Sequence, residues 1–142
     1  MKLFVVAEGR IKERDLRAVA NDYLKRLTRY VKCDEIEARD AAGLVKSIPE
    51  GAFVVALEVD GERLTSSELA LRLERWGARG KGLVAFVIGG AEGIPKPLSE
   101  RADLRLSLSS FTLPHRLARV VLFEQLYRAM TLQRGEPYAR EE

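Results

Sequence analysis

A chain of 142 residues, 46% of them hydrophobic, has the apolar material for one packed core but is short for two, so one domain over residues 1–142 is expected. One cysteine, Cys33, excludes an internal disulfide. Together with one histidine, His115, it leaves no Cys/His set to hold zinc, so a reduced, metal-free, cytoplasmic protein is expected. The net charge of +3, carried mostly by Arg, suits a polyanionic partner without requiring one.

Met1 to Ala7 holds the apolar, β-rich run Leu3-Phe4-Val5-Val6, ended by Glu8-Gly9. Helical spacing follows at Leu16, Val19, Ala20, Tyr23, Leu24 and Leu27. A short strand is expected over Cys33 to Ala38, then a brief helix over Ala41 to Ser47. Pro49-Glu50-Gly51 then turns the chain into a third strand, Phe53 to Val59, which reads as central. Asp60-Gly61 reads as a turn. Thr65-Ser66-Ser67-Glu68 matches a capping box in front of Leu69, Leu73 and Trp76, with the helix ending at Gly77 or Gly80. Leu83 to Ile88 is an unbroken apolar run of the kind buried on both faces of a parallel sheet. Such runs fall far short of the roughly 20 residues that cross a bilayer, and Met1 to Glu8 is too short for a signal peptide, so no membrane partner is expected. A short helix, a strand over Leu104 to Leu108, a loop over Ser109 to Pro114 and a long helix from His115 to Gln133 complete the order. Strands alternating with helices imply an α/β fold: a mostly parallel sheet with helices on both faces.

The last helix is apolar nearly all round: Leu117, Val120, Val121 and Tyr127 mark one face, while Leu122, Phe123, Leu126, Ala129 and Met130 fill much of the rest. Such a helix needs burial on two sides. The sheet supplies one; a second subunit in a homodimer is the favoured source of the other, with the chain's own tail as the alternative.

Two loops stand where open α/β sheets bind ligands, beyond the carboxyl ends of strands. The first, Gly89-Gly90-Ala91-Glu92-Gly93, matches neither the dinucleotide fingerprint nor a phosphate-binding loop, and it reads equally as a tight turn or a ligand-binding backbone. The second, Leu108-Ser109-Ser110-Phe111-Thr112-Leu113-Pro114, offers hydroxyl and backbone groups that suit a nucleoside, or a plain helix cap. His115 reads more readily as a cap or packing residue than as a base. Glu124 reads as the partner of Arg128 at i+4, or else as a buried carboxylate facing a cationic ligand. In the tail, Tyr138 and Arg140 pair an aromatic face with a cation, suited to a base and a phosphate. Arg10, Lys12, Arg14 and Arg17 form a further basic cluster, open between RNA contact and a solvated helix start.

Taken in order, Ile88-Gly89-Gly90-Ala91-Glu92-Gly93, Leu106-Ser107-Leu108-Ser109 with Thr112-Leu113-Pro114-His115, Glu124-Gln125-Leu126-Tyr127-Arg128-Ala129 and Pro137-Tyr138 resemble the RlmH family. These are pseudouridine N3-methyltransferases of large-subunit ribosomal RNA, of the SPOUT class, and the resemblance spans the whole chain. It implies a C-terminal trefoil knot, an S-adenosylmethionine site shared across a homodimer, and a pseudouridine of assembled ribosomes as substrate. Carried over residue by residue, it implies cofactor contacts at Leu57, Gly89 and Leu108, Ser109, Ser110, Phe111, Thr112 and Leu113. Tyr138, Arg140 and His115 are the implied catalytic candidates. The family tail commonly has a His where this chain has Ala139, which shifts weight to Tyr138 and Arg140. The alternatives are a SPOUT methylase of another RNA position, such as a transfer-RNA ribose 2′-hydroxyl, and a non-catalytic RNA- or nucleotide-binding module.

Overall fold

The structure, a computed structural model, describes residues 1–138. Five strands form one sheet in the order β2-β1-β4-β3-β5, and every pairing is parallel: β1 (Lys2–Glu8), β2 (Lys32–Ala38), β3 (Phe53–Arg63), β4 (Leu83–Ile88) and β5 (Leu104–Ser107). Between and after them lie α1 (Arg14–Leu27), α2 (Ala41–Lys46), α3 (Ser66–Arg79), α4 (Lys96–Arg101) and α5 (His115–Gln133). The middle strand is β4, whose Val84 to Ile88 are all buried; β3, expected to be central, stands beside it.

Alternate side chains of each strand point to opposite faces and so build two cores. Leu3, Val5, Phe53, Val55, Val84 and Phe86 pack beneath α1, α3 and α5, whereas Val6, Val54 and Val87 pack with Leu44 of α2 and Leu98 of α4. The capping box of α3 is formed: Thr65 Oγ1 accepts from the Glu68 N–H at 3.1 Å, and Glu68 Oε1 accepts from the Thr65 N–H at 2.9 Å. The helix stops at Gly80, where a Cβ would stand 2.1 Å from the Leu83 carbonyl oxygen. Trp76 stacks on Phe53 with 5.6 Å between centroids, fixing α3 to the sheet.

Two expectations change. Asp60-Gly61 is not a turn, because β3 continues to Arg63. Leu57 and Glu62 both face Leu106 of β5, so residues 58–61 bulge out of the ladder between them. Gly61 is needed there for close approach: a Cβ would lie 2.7 Å from the Arg105 carbonyl carbon. The apolar girth of α5 also has a cause within the chain. It lies against α1, α3 and β4, and Leu122, Phe123, Leu126 and Ala129 are fully buried among their own chain's residues. The part of α5 left for a partner is its N-terminal end, where Leu117 is 38% exposed.

Candidate active site

The carboxyl ends of β3, β4 and β5 converge on a cavity of about 290 Å3, near the lower end of the roughly 300–1,000 Å3 of small-molecule sites. Three segments enclose it. The first is Leu57 with the bulge Glu58-Val59-Asp60; the second is Ile88-Gly89-Gly90 with Gly93 and Ile94; the third runs from Leu108 through Ser109, Phe111 and Leu113 to His115 and Ala118 on α5.

Six of the eight residues assigned above to the cofactor therefore line one cavity: Leu57, Gly89, Leu108, Ser109, Phe111 and Leu113. Ser110 and Thr112 are exposed in the same loop and are not among its lining residues. The loop is shaped from within, as the Ser107 hydroxyl donates to the Ser109 carbonyl and Ser109 Oγ accepts from the Phe111 N–H, both at 2.9 Å. His115 stands in the wall, not only at the helix start.

Glu58, Val59 and Asp60 were not singled out from the sequence, because their placement depends on the bulge in β3, and Asp60-Gly61 carries the signature of a turn. Glu58 Oε2 accepts from the Ser99 hydroxyl of α4 at 2.6 Å, and Asp60 lies 3.7 Å from Arg105. The cavity thus combines apolar walls (Leu57, Val59, Ile88, Ile94, Leu108, Leu113) with two carboxylates on one side. The apolar walls suit the flat face of a nucleoside such as the adenosine of S-adenosylmethionine, while the Glu58 and Asp60 carboxylates are engaged by Ser99 and Arg105 outside the cavity.

Gly89 has a structural reason to be glycine. A Cβ there would come within 2.4 Å of the Gly93 carbonyl carbon and 2.6 Å of the Ile94 nitrogen, so the loop folds back across Gly89 itself. The Gly93 N–H donates to the Gly90 carbonyl at 3.0 Å, closing that turn.

The tail residues lie elsewhere. Tyr138 does not line the cavity; its hydroxyl donates to Glu124 Oε2 at 2.7 Å, and its ring meets Tyr127 edge-on at 4.7 Å. Burial, and then the bond to Glu124, hold the Tyr138 hydroxyl in its protonated form well above the usual phenol range. Glu124 also holds Arg128, whose Nη2 is 2.8 Å away, and does not line the cavity. Arg140 and Ala139 lie outside the described residues. Of the basic cluster, Arg17 is engaged with Glu35 and Glu37, while Arg10, Lys12 and Arg14 are exposed. Among the described residues, no group of three or more His, Cys, Asp or Glu side chains is placed to hold a metal ion.

A family model described as a predicted SPOUT methyltransferase matches residues 1–139. The chain is a SPOUT methyltransferase. Within that class it belongs to the RlmH family. A relative from Sorangium cellulosum named ribosomal RNA large subunit methyltransferase H is 56% identical, covering 98% of this chain and 99% of the relative. A relative of the same name from Acetivibrio thermocellus is 42% identical, covering 99% of this chain and all of its own length. Among solved structures, a probable methylase family protein from Haemophilus influenzae superposes with a TM-score of 0.57 at 10% identity, over 96% of this chain and 69% of that one. A structure described as concerning 2′-OH methylation of C/U34 on tRNA gives 0.55 at 16% identity, over 92% and 97%. At those identities the likeness concerns the fold alone.

Proposed function

We propose that this RlmH-family chain transfers a methyl group from S-adenosylmethionine to N3 of a pseudouridine in large-subunit ribosomal RNA, acting on assembled ribosomes in the cytoplasm. The observation that carries this is the single cavity formed where β3, β4 and β5 end, which gathers most of the residues the family resemblance assigns to the cofactor. The C-terminal trefoil knot implied by the same resemblance belongs to this reading.

S-adenosylmethionine supplies an electrophilic methyl on a sulfonium. Leu57, Ile88, Leu108 and Leu113 would hold its adenosine between apolar walls. His115, in the cavity wall, would offer its imidazole for a hydrogen bond to the incoming base. Alignment of the base nitrogen with the methyl would supply much of the rate, the sulfonium leaving as a neutral thioether and the N3 imide proton passing to water. Arg140 is assigned to an RNA phosphate, with Tyr138 anchoring the tail through Glu124.

Incubation with ribosomes lacking the modification and labelled cofactor, followed by mass mapping of the labelled nucleotide, should place the methyl on a pseudouridine. Label on a transfer-RNA ribose, or binding without transfer, would overturn the reading. In the same assay Arg140→Ala should lose more than the tenfold that about 1.4 kcal/mol represents, with cofactor affinity unchanged.

The homodimer belongs to this reading too. Phe111 (83% exposed) and Val59 (50%) leave an apolar rim on the cavity, and Leu117 (38%) adds exposed apolar surface at the start of α5, the kind of surface that a second copy covers. Leu117→Glu should give monomers by light scattering and lower activity in parallel. A wild-type protein that is monomeric and fully active at micromolar concentration would refute it.

A further inference from the structure

At the opposite end of the sheet, where β1, β2 and β4 begin, a groove of about 1060 Å3 runs between the ends of α3 and α5. Strands of seven residues put it about 20 Å from the cavity at their carboxyl ends. Four cations line the groove, Lys2, Lys32, Lys81 and Arg134, against one carboxylate, Glu74. Two further carboxylates stand beside the lining, Asp34 against Lys2 and Glu136 against Tyr30, so the groove keeps a small excess of positive charge.

These cations differ in their ties. Lys2 pairs with Asp34 at 2.9 Å, and the Arg134 guanidinium lies 4.8 Å over the Tyr30 ring. Tyr30 is itself held by its hydroxyl, which donates to Glu136 Oε2 at 2.6 Å. Lys32 and Lys81 are exposed and make no ion pair with a described residue. Lys81 also stands in the left-handed region at φ 55°, a conformation that costs a residue with a Cβ about 1–2 kcal/mol and that glycine would adopt freely. The ends of α3 and α5 attract cations through the helix dipole, which gives Lys81 and Arg134 a local reason to be basic. Lys2 and Lys32 open strands and have no such reason.

We propose that this groove seats the phosphate backbone of RNA, forming a second contact with the substrate remote from the methyl-transfer cavity. Lys32 and Lys81 are the free cations that meet phosphate, and Arg134, held over the Tyr30 ring, adds a third positive charge to the same groove. The inference rests on the reading of ribosomal RNA as substrate, but its test has a readout that does not require methylation.

The test compares wild type with Lys32→Gln/Lys81→Gln, with circular dichroism and cofactor calorimetry confirming that fold and cofactor site are intact. Binding to a large-subunit RNA transcript is measured from low to high salt. Loss of two phosphate contacts should flatten the slope of log K against log salt by roughly 1.5, and KM for ribosomes should rise at least tenfold with kcat unchanged. An unchanged slope and KM would overturn the proposal. So would a raised KM with unchanged transcript binding, which would assign the groove to a ribosomal protein. A wild type that binds the transcript with the full slope but transfers no methyl to ribosomes lacking the modification would overturn the proposed function and leave the groove standing.

Discussion

Arg119→Met should destabilise the protein by about 3–5 kcal/mol, the loss expected when one partner of a buried ion pair is removed. Arg119 is fully buried in α5, with Nη1 on Glu35 at 3.0 Å and on Glu37, and Nη2 on the Gly9 carbonyl at 2.9 Å. Arg17 reaches the same two carboxylates, and the Ile11 N–H donates to Glu37 Oε2 at 3.3 Å. One guanidinium therefore ties α5 to β2 and to the segment after β1, and through the shared carboxylates to Arg17 of α1. Arg119 Nε has no hydrogen-bond partner among the described residues, so the burial is imperfectly compensated even in the wild type. In the variant Glu35, whose side chain is 10% exposed, would keep only Arg17. Because Arg119 follows Ala118 and comes one turn after His115, cofactor affinity should fall with stability. Urea unfolding checks the first effect and calorimetry the second. A loss under about 1 kcal/mol would show that Arg17 alone satisfies both acids.

Elements whose cause is local were legible in the sequence. The capping box before Leu69, the apolar run Leu83 to Ile88 and the alternation of strands with helices each follow from neighbouring residues, and each stands in the structure close to the expected bounds. Both loops of the candidate site were legible for the same reason: they follow strands of a parallel sheet. Features that depend on distant partners were not. Nothing near Asp60-Gly61 shows that Leu106 will face both Leu57 and Glu62, so the bulge and its carboxylates went unread. The apolar girth of α5 looked like an interface because periodicity counts apolar faces without saying what covers them; here α1 and α3 do. Nothing in the residues around Arg119 shows that it will be buried, since its carboxylate partners lie more than 80 residues away in sequence.

Gly89→Ala should lower S-adenosylmethionine affinity at least a hundredfold, about 2.7 kcal/mol, while Gly90→Ala should change it little. Adjacent glycines make the comparison sharp. The added methyl at Gly89 would meet backbone, 2.4 Å from the Gly93 carbonyl carbon and 2.6 Å from its oxygen, and backbone cannot rotate aside. The segment from Gly90 to Ile94 must then shift, and Gly90, Gly93 and Ile94 all line the cavity, so the wall moves with it. At Gly90 the nearest atom is Glu8 Oε2 at 2.8 Å, the far end of a side chain that can swing away. The strain at Gly89 is confined to a turn beyond β4, so the cost to the fold should be that of ordinary overpacking, about 1–3 kcal/mol, leaving a folded variant. Calorimetric titration of both variants, alongside their circular dichroism, separates lost binding from lost structure. A folded Gly89→Ala protein that binds the cofactor as tightly as wild type would show that the 89–94 turn is scaffold, and would move the cofactor toward the segment from Leu108 to His115.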